Sequence, residues 1–483
     1  MQKEFNDRSL LERLEDHRER GYLSLHMPGH KENEGLAPYL RTLSAGLDIT
    51  ELPGFDDLHA PEDVLAESMA RASALFGSGE SLYQVNGSSG ALLAAIRGST
   101  KRGDKVLVAR NCHKAIYHGL ELCGLEPVYL LPETEPAFGL AGSVTPDQVE
   151  TALEKHPDVK LVIYPSPTYD GILSDTAGIC RAAHARGVPV LVDEAHGAHL
   201  GLTEHFPPGA AAQGADLVAA SLHKMLPSLT QTAILHINGD LVDHREVKRQ
   251  AGIFQSSSPS YLLMASMDGC VRLLEERREE LFAAWSRRLR EFDELVSGLK
   301  HLRLPGHGAE AGKSYPGIYA LDPARIVIST RNSALTGVEL MRRLREEYQI
   351  ELEMALDRYA VAMTGPGNDD AMPRRLAEAL LDLDERFGPA REEAPITPTY
   401  SVPPRVLGIE EAAKTESEPV PLREAVGRVS GGYLWAYPPG IPLVVPGEQI
   451  TAGLAETVER LKRAEVKLVG AGDADRLSIP VLI

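Results

Sequence analysis

Between about residue 80 and residue 240, short apolar runs alternate with helical patterns. KVLVAR is followed by KAIYHGLELCG, PVYLL by TPDQVETALEKH, KLVIYPSP by DTAGICRAAHARG, and the series ends on VPVLVDEAH. Strands separated by helices of this length pair in parallel, and the helices then cover both faces of the sheet. The chain is therefore expected to be α/β, with a mostly parallel sheet in a large domain. In such sheets ligands bind beyond the carboxyl ends of the strands. That rule gathers Asn86 to Gly90, Asn111 to Lys114, Asp193 to His196 and Ser221 to Lys224 at one rim.

A chain of 483 residues exceeds one ordinary compact unit. The alternation stops at LRLPGHGAEAGKSYPGIYALDPARIVIS, and the helix and strands of VELMRRLREEYQIELEMALDRYAVAMTG follow. A second break, RFGPAREEAPITPTYSVPPRVLG, is Pro-rich and extended. The expected division is an N-terminal segment over 1–60, a large domain over 61–300, a smaller α+β domain over 301–390 and a C-terminal element over 391–483. MQKEFNDRSLLERLEDHRERGYLSL reads as a charged amphipathic helix with Leu10, Leu11 and Leu14 on one stripe, and it lacks the apolar core of a signal peptide. No apolar run approaches the roughly 18 residues of a membrane-spanning helix. A net charge of −19 argues against a general nucleic-acid or anionic-membrane binder. Cys112, Cys123, Cys180 and Cys270 match neither a zinc ligand set nor a compact disulfide framework, so a reducing cytoplasm is the expected location.

Within AASLHKMLPSLTQTAILHI, residues 219–237, Ser221, His223 and Lys224 crowd the end of an apolar run. A lysine there is costly unless it is paired, exposed or chemically used. A partly desolvated lysine loses its proton readily and attacks an aldehyde, and pyridoxal phosphate is the usual aldehyde. Its phosphate needs N–H and O–H donors, which the helix start of QVNGSSGALLAAIRG offers at Ser88, Ser89 and Gly90. Its ring nitrogen needs a carboxylate, and Asp193 closes the strand VPVLVD.

Each piece alone also has a plain reading. NGSSG is equally a serine-capped helix start, Asp193 an N-cap or ion-pair partner, and His113 a surface or cap histidine. His196 and His199 suggest a metal, but no compact third ligand is apparent and no metal is expected. Glu351 and Glu353 alternate with Ile350 and Leu352 as on a solvated strand face.

ASLHKMLPSLTQTA resembles the cofactor-attachment segment of the bacterial ornithine/lysine/arginine decarboxylases, which have the fold-type-I pyridoxal-phosphate-dependent transferase fold. MPGHK, DDLHAP, NGSSGA, NCHKA, PSPTYDG, VDEAHGAH, SSSPSYLLMASMD and YPPGIPLVVPGE extend the resemblance over most of the chain. It implies that Lys224 carries the cofactor, that Asp193 partners the pyridine nitrogen, and that His113 stacks on the ring. Ser88, Ser89, Gly90, Ser221 and His223 would hold the phosphate, His196 would lie close to the ring, and Ser258 would come from a neighbouring subunit. Glu353 corresponds to a substrate-facing glutamate before a TGP-like turn. Serine at 88 stands where threonine is usual and keeps the hydroxyl, while Pro227 stands where a small residue is common and stiffens the loop. The chain looks like the shorter form of the family, without the extra N-terminal domain.

The resemblance thus implies decarboxylation of arginine, ornithine or lysine to carbon dioxide and an amine, in a homodimer or larger assembly with shared active sites. The rivals are another reaction on the same cofactor, such as an aminotransferase or oxoamine synthase, and a silent regulatory homologue. The intact set of Lys224, Asp193 and His113 weighs against silence.

Overall fold

The computed structural model describes residues 8–22, 28, 31, 41–390, 401–436, 440–463, 465–470 and 477–483. Most of MPGHK, the Pro-rich stretch 391–400 and the YPP of YPPGIPLVVPGE lie outside the described residues. The chain divides into two compact units, one of Met1–Ser99 and Glu194–Phe282, the other of Thr100–Asp193 and Ala283–Ile483. The central sheet is mixed and mostly parallel.

In the first unit Glu80–Gln84 runs antiparallel to Ala233–Ile237, which runs antiparallel to Leu217–Ala220. Helix Gly87–Ser99 packs on these strands and on helix His244–Ile253. A Cβ at Gly98 would stand 2.7 Å from Val247 Cα, so only glycine permits that approach. Helix Leu10–Arg20 starts on a capping box between Ser9 and Glu12. Leu10 and Leu14 are buried as expected, whereas Leu11 is 42% exposed. A helical residue one step on is turned about 100° from its neighbour, and the place beside Leu10 and Leu14 goes to Arg13, buried against Asp63 at 2.9 Å.

The second unit carries the parallel strands, in the order Val190–Asp193, Val159–Pro165, Lys105–Ala109 and Glu126–Leu130. Helices Lys114–Cys123, Pro146–Lys155 and Thr176–His184 alternate with them in sequence. Val106 to Ala109 and Leu161 to Tyr164 are fully buried, which is why these runs read as continuous rather than alternating apolar residues. Thr145 and Gln148 form a capping box with Pro146 in the first turn, so TPDQVETALEKH starts its helix on local chemistry alone.

An antiparallel sheet of Arg325–Ser329, Tyr359–Met363 and Met354–Ala355 follows in the same unit. Glu351 and Glu353, expected along a strand, instead precede it. Helix Gly337–Tyr348 ends at Gln349 in the left-handed region, φ 57°, and regular pairing begins only at Met354 opposite Val361. The C-terminal element places Leu434–Ala436 between Ile441–Val444 and Leu468–Val469, beside helix Ala452–Arg463. Leu434, Leu443, Val444 and Val458 share one core with Ile172, Val327 and Val361.

Candidate active site

Strand Leu217–Ala220 ends at Ser221, and a single helical turn, Leu222–Met225, carries His223 and Lys224. Lys224 Nζ lies 3.0 Å from His196 Nε2, and His196 is buried in the loop that follows Asp193. Ser221, fully buried, donates its hydroxyl to Ser88 Oγ at 3.0 Å. Ser88 stands in the first turn of helix Gly87–Ser99, where Ser89 is exposed and Gly90 buried. Gly87 takes φ 70°, which lets the chain turn from the strand into the helix.

His223 Nδ1 is 2.8 Å from the Thr232 carbonyl, so that nitrogen carries the proton. Burial lowers the imidazole's affinity for a second proton, with the Lys224 charge acting the same way. The neutral ring then presents Nε2 as an acceptor, and it donates to a phosphate only when doubly protonated. Ser258 is exposed, and among the described residues its hydrogen bonds go to Ser256 alone. Pro227 is exposed on the loop after Met225.

Gln84 escaped the sequence reading. It is fully buried at the end of its strand, and neither its amide nitrogen nor its oxygen has a partner among the described residues. Its Oε1 would lie 4.0 Å from a Cβ placed on Gly90, which sets it under the first turn of helix Gly87–Ser99. Gln231 and Gln255 occupy the backbone groups of Val85 next to it, at 2.6 and 2.8 Å. Three glutamines around a strand end have no sequence periodicity, and nothing in ESLYQVNG signals them.

In the second unit Asp193 is the last residue of its strand and is 5% exposed. The Cys112 thiol is pushed well up by burial and then by the charge of Asp193, which brings that carboxylate close to the residue before His113. His113 caps helix Lys114–Cys123, its Nδ1 accepting from the Ala115 N–H at 3.2 Å. The cap uses an in-plane lone pair of the imidazole rather than a ring face. Glu353 is exposed and accepts a hydrogen bond from the Tyr169 hydroxyl. Buried Arg325 feels the charges of Asp322 and Glu353. Glu351 is exposed and pairs with Arg345 at 3.2 Å.

The fit of a phosphate-bearing aldehyde is testable on these groups. The first unit holds a lysine amine within hydrogen-bond reach of an imidazole, a serine hydroxyl in the opening turn of a helix paired with one at a strand end, and an orphaned amide beneath that turn. Together they match what pyridoxal phosphate requires of an amine and of phosphate donors. Among the described residues no group of three or more His, Cys, Asp or Glu could hold a metal ion. No described helix is long and apolar enough to cross a membrane.

Two family models match the chain: Orn/Lys/Arg decarboxylase, major domain, over residues 9–301, and Orn/Lys/Arg decarboxylase, C-terminal domain, over 396–467. An arginine decarboxylase of Bacillus anthracis is 31% identical over 97% of this chain and 96% of its own length. One from Halalkalibacterium halodurans is 32% identical over 95% and 94%. The solved structure of a lysine decarboxylase from Francisella novicida superposes with a TM-score of 0.82 at 20% identity, covering 99% of this chain and 82% of that one, and shows that the fold is shared. The chain therefore belongs to the Orn/Lys/Arg decarboxylase family, and is a pyridoxal-phosphate-dependent decarboxylase of a basic amino acid.

Proposed function

We propose that Lys224 is the catalytic lysine of this decarboxylase and that arginine is its preferred substrate. The observation that carries the first part is the 3.0 Å approach of Lys224 Nζ to His196 Nε2, next to the paired hydroxyls of Ser221 and Ser88. The preference for arginine is supported by the relatives that bear that name at 31% and 32% identity.

When bound, pyridoxal phosphate supplies the electron sink for the pair left at Cα as the carboxylate departs. Lys224 would carry the cofactor on its amine and later return a proton to Cα, with His196 orienting that amine. Asp193 would keep the proton on the ring nitrogen, and its burial excludes water from competing for it. His113 would lie on the ring face, its orientation set by the cap to Ala115. Ser88, Ser89, Gly90, Ser221 and His223 would hold the phosphate, with Ser258 supplied by a neighbouring subunit. Glu353 would pair with the substrate's distal cation, the Tyr169 hydroxyl fixing one carboxylate oxygen and leaving the other for the guanidinium.

The same reading makes the protein a cytoplasmic homodimer or dimer-based oligomer whose amine product feeds polyamine synthesis. It keeps the division into 1–60, 61–300, 301–390 and 391–483. The experiment is product analysis with each of the three basic amino acids. Carbon dioxide and amine should appear in equal amounts without a keto-acid acceptor, fastest from arginine. Faster turnover of ornithine or lysine would overturn the substrate assignment.

A further inference from the structure

Helix Lys114–Cys123 begins immediately after His113, and two acceptors meet its first N–H groups. His113 Nδ1 takes that of Ala115 at 3.2 Å, and the carbonyl of Gly440, from the C-terminal element, takes that of Lys114 at 3.0 Å. Three residues before His113, Arg110 is fully buried. Its Nη2 donates to Glu448 Oε2 at 2.9 Å and to the Leu443 carbonyl at 3.4 Å, and its Nε donates to the Ser401 carbonyl at 2.9 Å. Every one of these acceptors lies in the C-terminal element. Glu448 Oε2 also accepts from the Val445 N–H at 3.0 Å, and the Tyr117 hydroxyl, one turn into the helix, donates to the Arg110 carbonyl at 2.7 Å. The element thus grips both ends of the short loop that holds His113.

The Arg110 and Glu448 side chains are 0% and 1% exposed. A buried ion pair gains little over packed apolar residues of the same volume, because desolvating both charges offsets their attraction. Arg110 Nη1, Glu448 Oε1 and the Tyr129 hydroxyl lack partners among the described residues, although the guanidinium carbon sits 5.0 Å from the centre of the Tyr129 ring. Burial pushes the Glu448 carboxyl up, and the Arg110 charge opposes that rise. Such a pair is a weak source of stability. What it supplies is direction, since charge-assisted hydrogen bonds hold one chain segment in a single register against another.

We propose that Arg110 and Glu448 form a latch through which the C-terminal element positions His113, so that Glu448 is a positioning residue for decarboxylation. The proposal rests on the assignment of His113 to the cofactor's ring face. In the full-length holoenzyme, Glu448→Gln keeps the shape of the side chain and removes its charge. It is expected to lower kcat by about ten- to a hundredfold with KM almost unchanged, as a misplaced reacting geometry does. The visible circular dichroism of the bound cofactor, which reports how the ring is seated, should weaken with it. Added to His113→Ala, the same change should cost less than about threefold more, since both act through one ring. Effects that multiply in the double variant would overturn the latch while leaving the ring-face assignment standing. A silent His113→Ala would overturn that assignment and the latch with it. Glu448→Asp, which retains the charge and draws the element inward by one methylene, supplies the same cycle should the Gln variant fail to fold.

Discussion

Glu194, directly after Asp193, is 6% exposed and offers Oε1 to the Ala210 N–H at 2.8 Å. Burial pushes its carboxyl from the ordinary 4.5 up to about 8, and that one hydrogen bond opposes only part of the rise. Between those values the folded protein keeps a proton that the unfolded chain has released. The stability this confers is complete below pH 4.5 and is lost as the pH rises through about 8. Each pH unit in that window costs about 1.4 kcal/mol, so raising the pH from 6 to 8 removes about 3 kcal/mol. Glu194→Gln preserves the acceptor and the volume and never ionises. Near pH 4.5 the variant should melt close to the wild type, and near pH 8.5, after a loss of about 5 kcal/mol in the wild type, it should melt higher by about 5 °C. The assay is thermal unfolding of both holoenzymes by scanning fluorimetry across that range at constant ionic strength. The difference between the two proteins is the readout, because other groups titrate in both. His236, held down to about 3 by burial, contributes stability that is present above pH 6.5 and lost as the pH falls toward 3, opposite in sign to Glu194. Melting curves that stay parallel from pH 6 to 8.5 would refute the reasoning, since Glu194 would then titrate alike in the folded and unfolded chain.

Lys224→Ala should fold yet lose both the absorbance of the attached cofactor and decarboxylation, and full turnover without added amines would sink the assignment. Asp193→Asn should slow turnover at least about a hundredfold with the fold intact, the scale of a lost transition-state electrostatic contact; a change of less than a few fold would make the carboxylate structural. Glu353→Gln should raise KM strongly or abolish turnover with cofactor absorbance unchanged, since leaving a substrate cation unmatched costs about 2–5 kcal/mol. Tyr169→Phe should raise KM more modestly, and Glu351→Gln, on an exposed pair with Arg345, should be nearly silent. Wild-type KM in Glu353→Gln for all three basic amino acids would mean that another carboxylate reads the substrate.

Much of the fold is written locally in the chain. The apolar runs at 105–109, 159–165 and 190–193 can only be strands buried on both faces, and the capping chemistry at Thr145 and Gln148 starts its helix wherever the segment is placed. The places of Asp193 and Lys224 after apolar strands are legible for the same reason: a charge at the end of an apolar run is an anomaly within a few residues of sequence. The stripe through Leu11 and the strand through Glu351 and Glu353 failed where the local pattern was ambiguous and a neighbouring element decided. Sequence also could not show that Lys224 meets His196, 28 positions away, that Tyr169 meets Glu353 at 184, or that Arg110 meets Glu448 at 338. Steric preferences and hydrogen bonds between near neighbours act along the chain, so the residue order determines them directly. The partners of a buried charge or an orphaned amide such as Gln84 are chosen by which segments pack together, and that choice belongs to the tertiary structure.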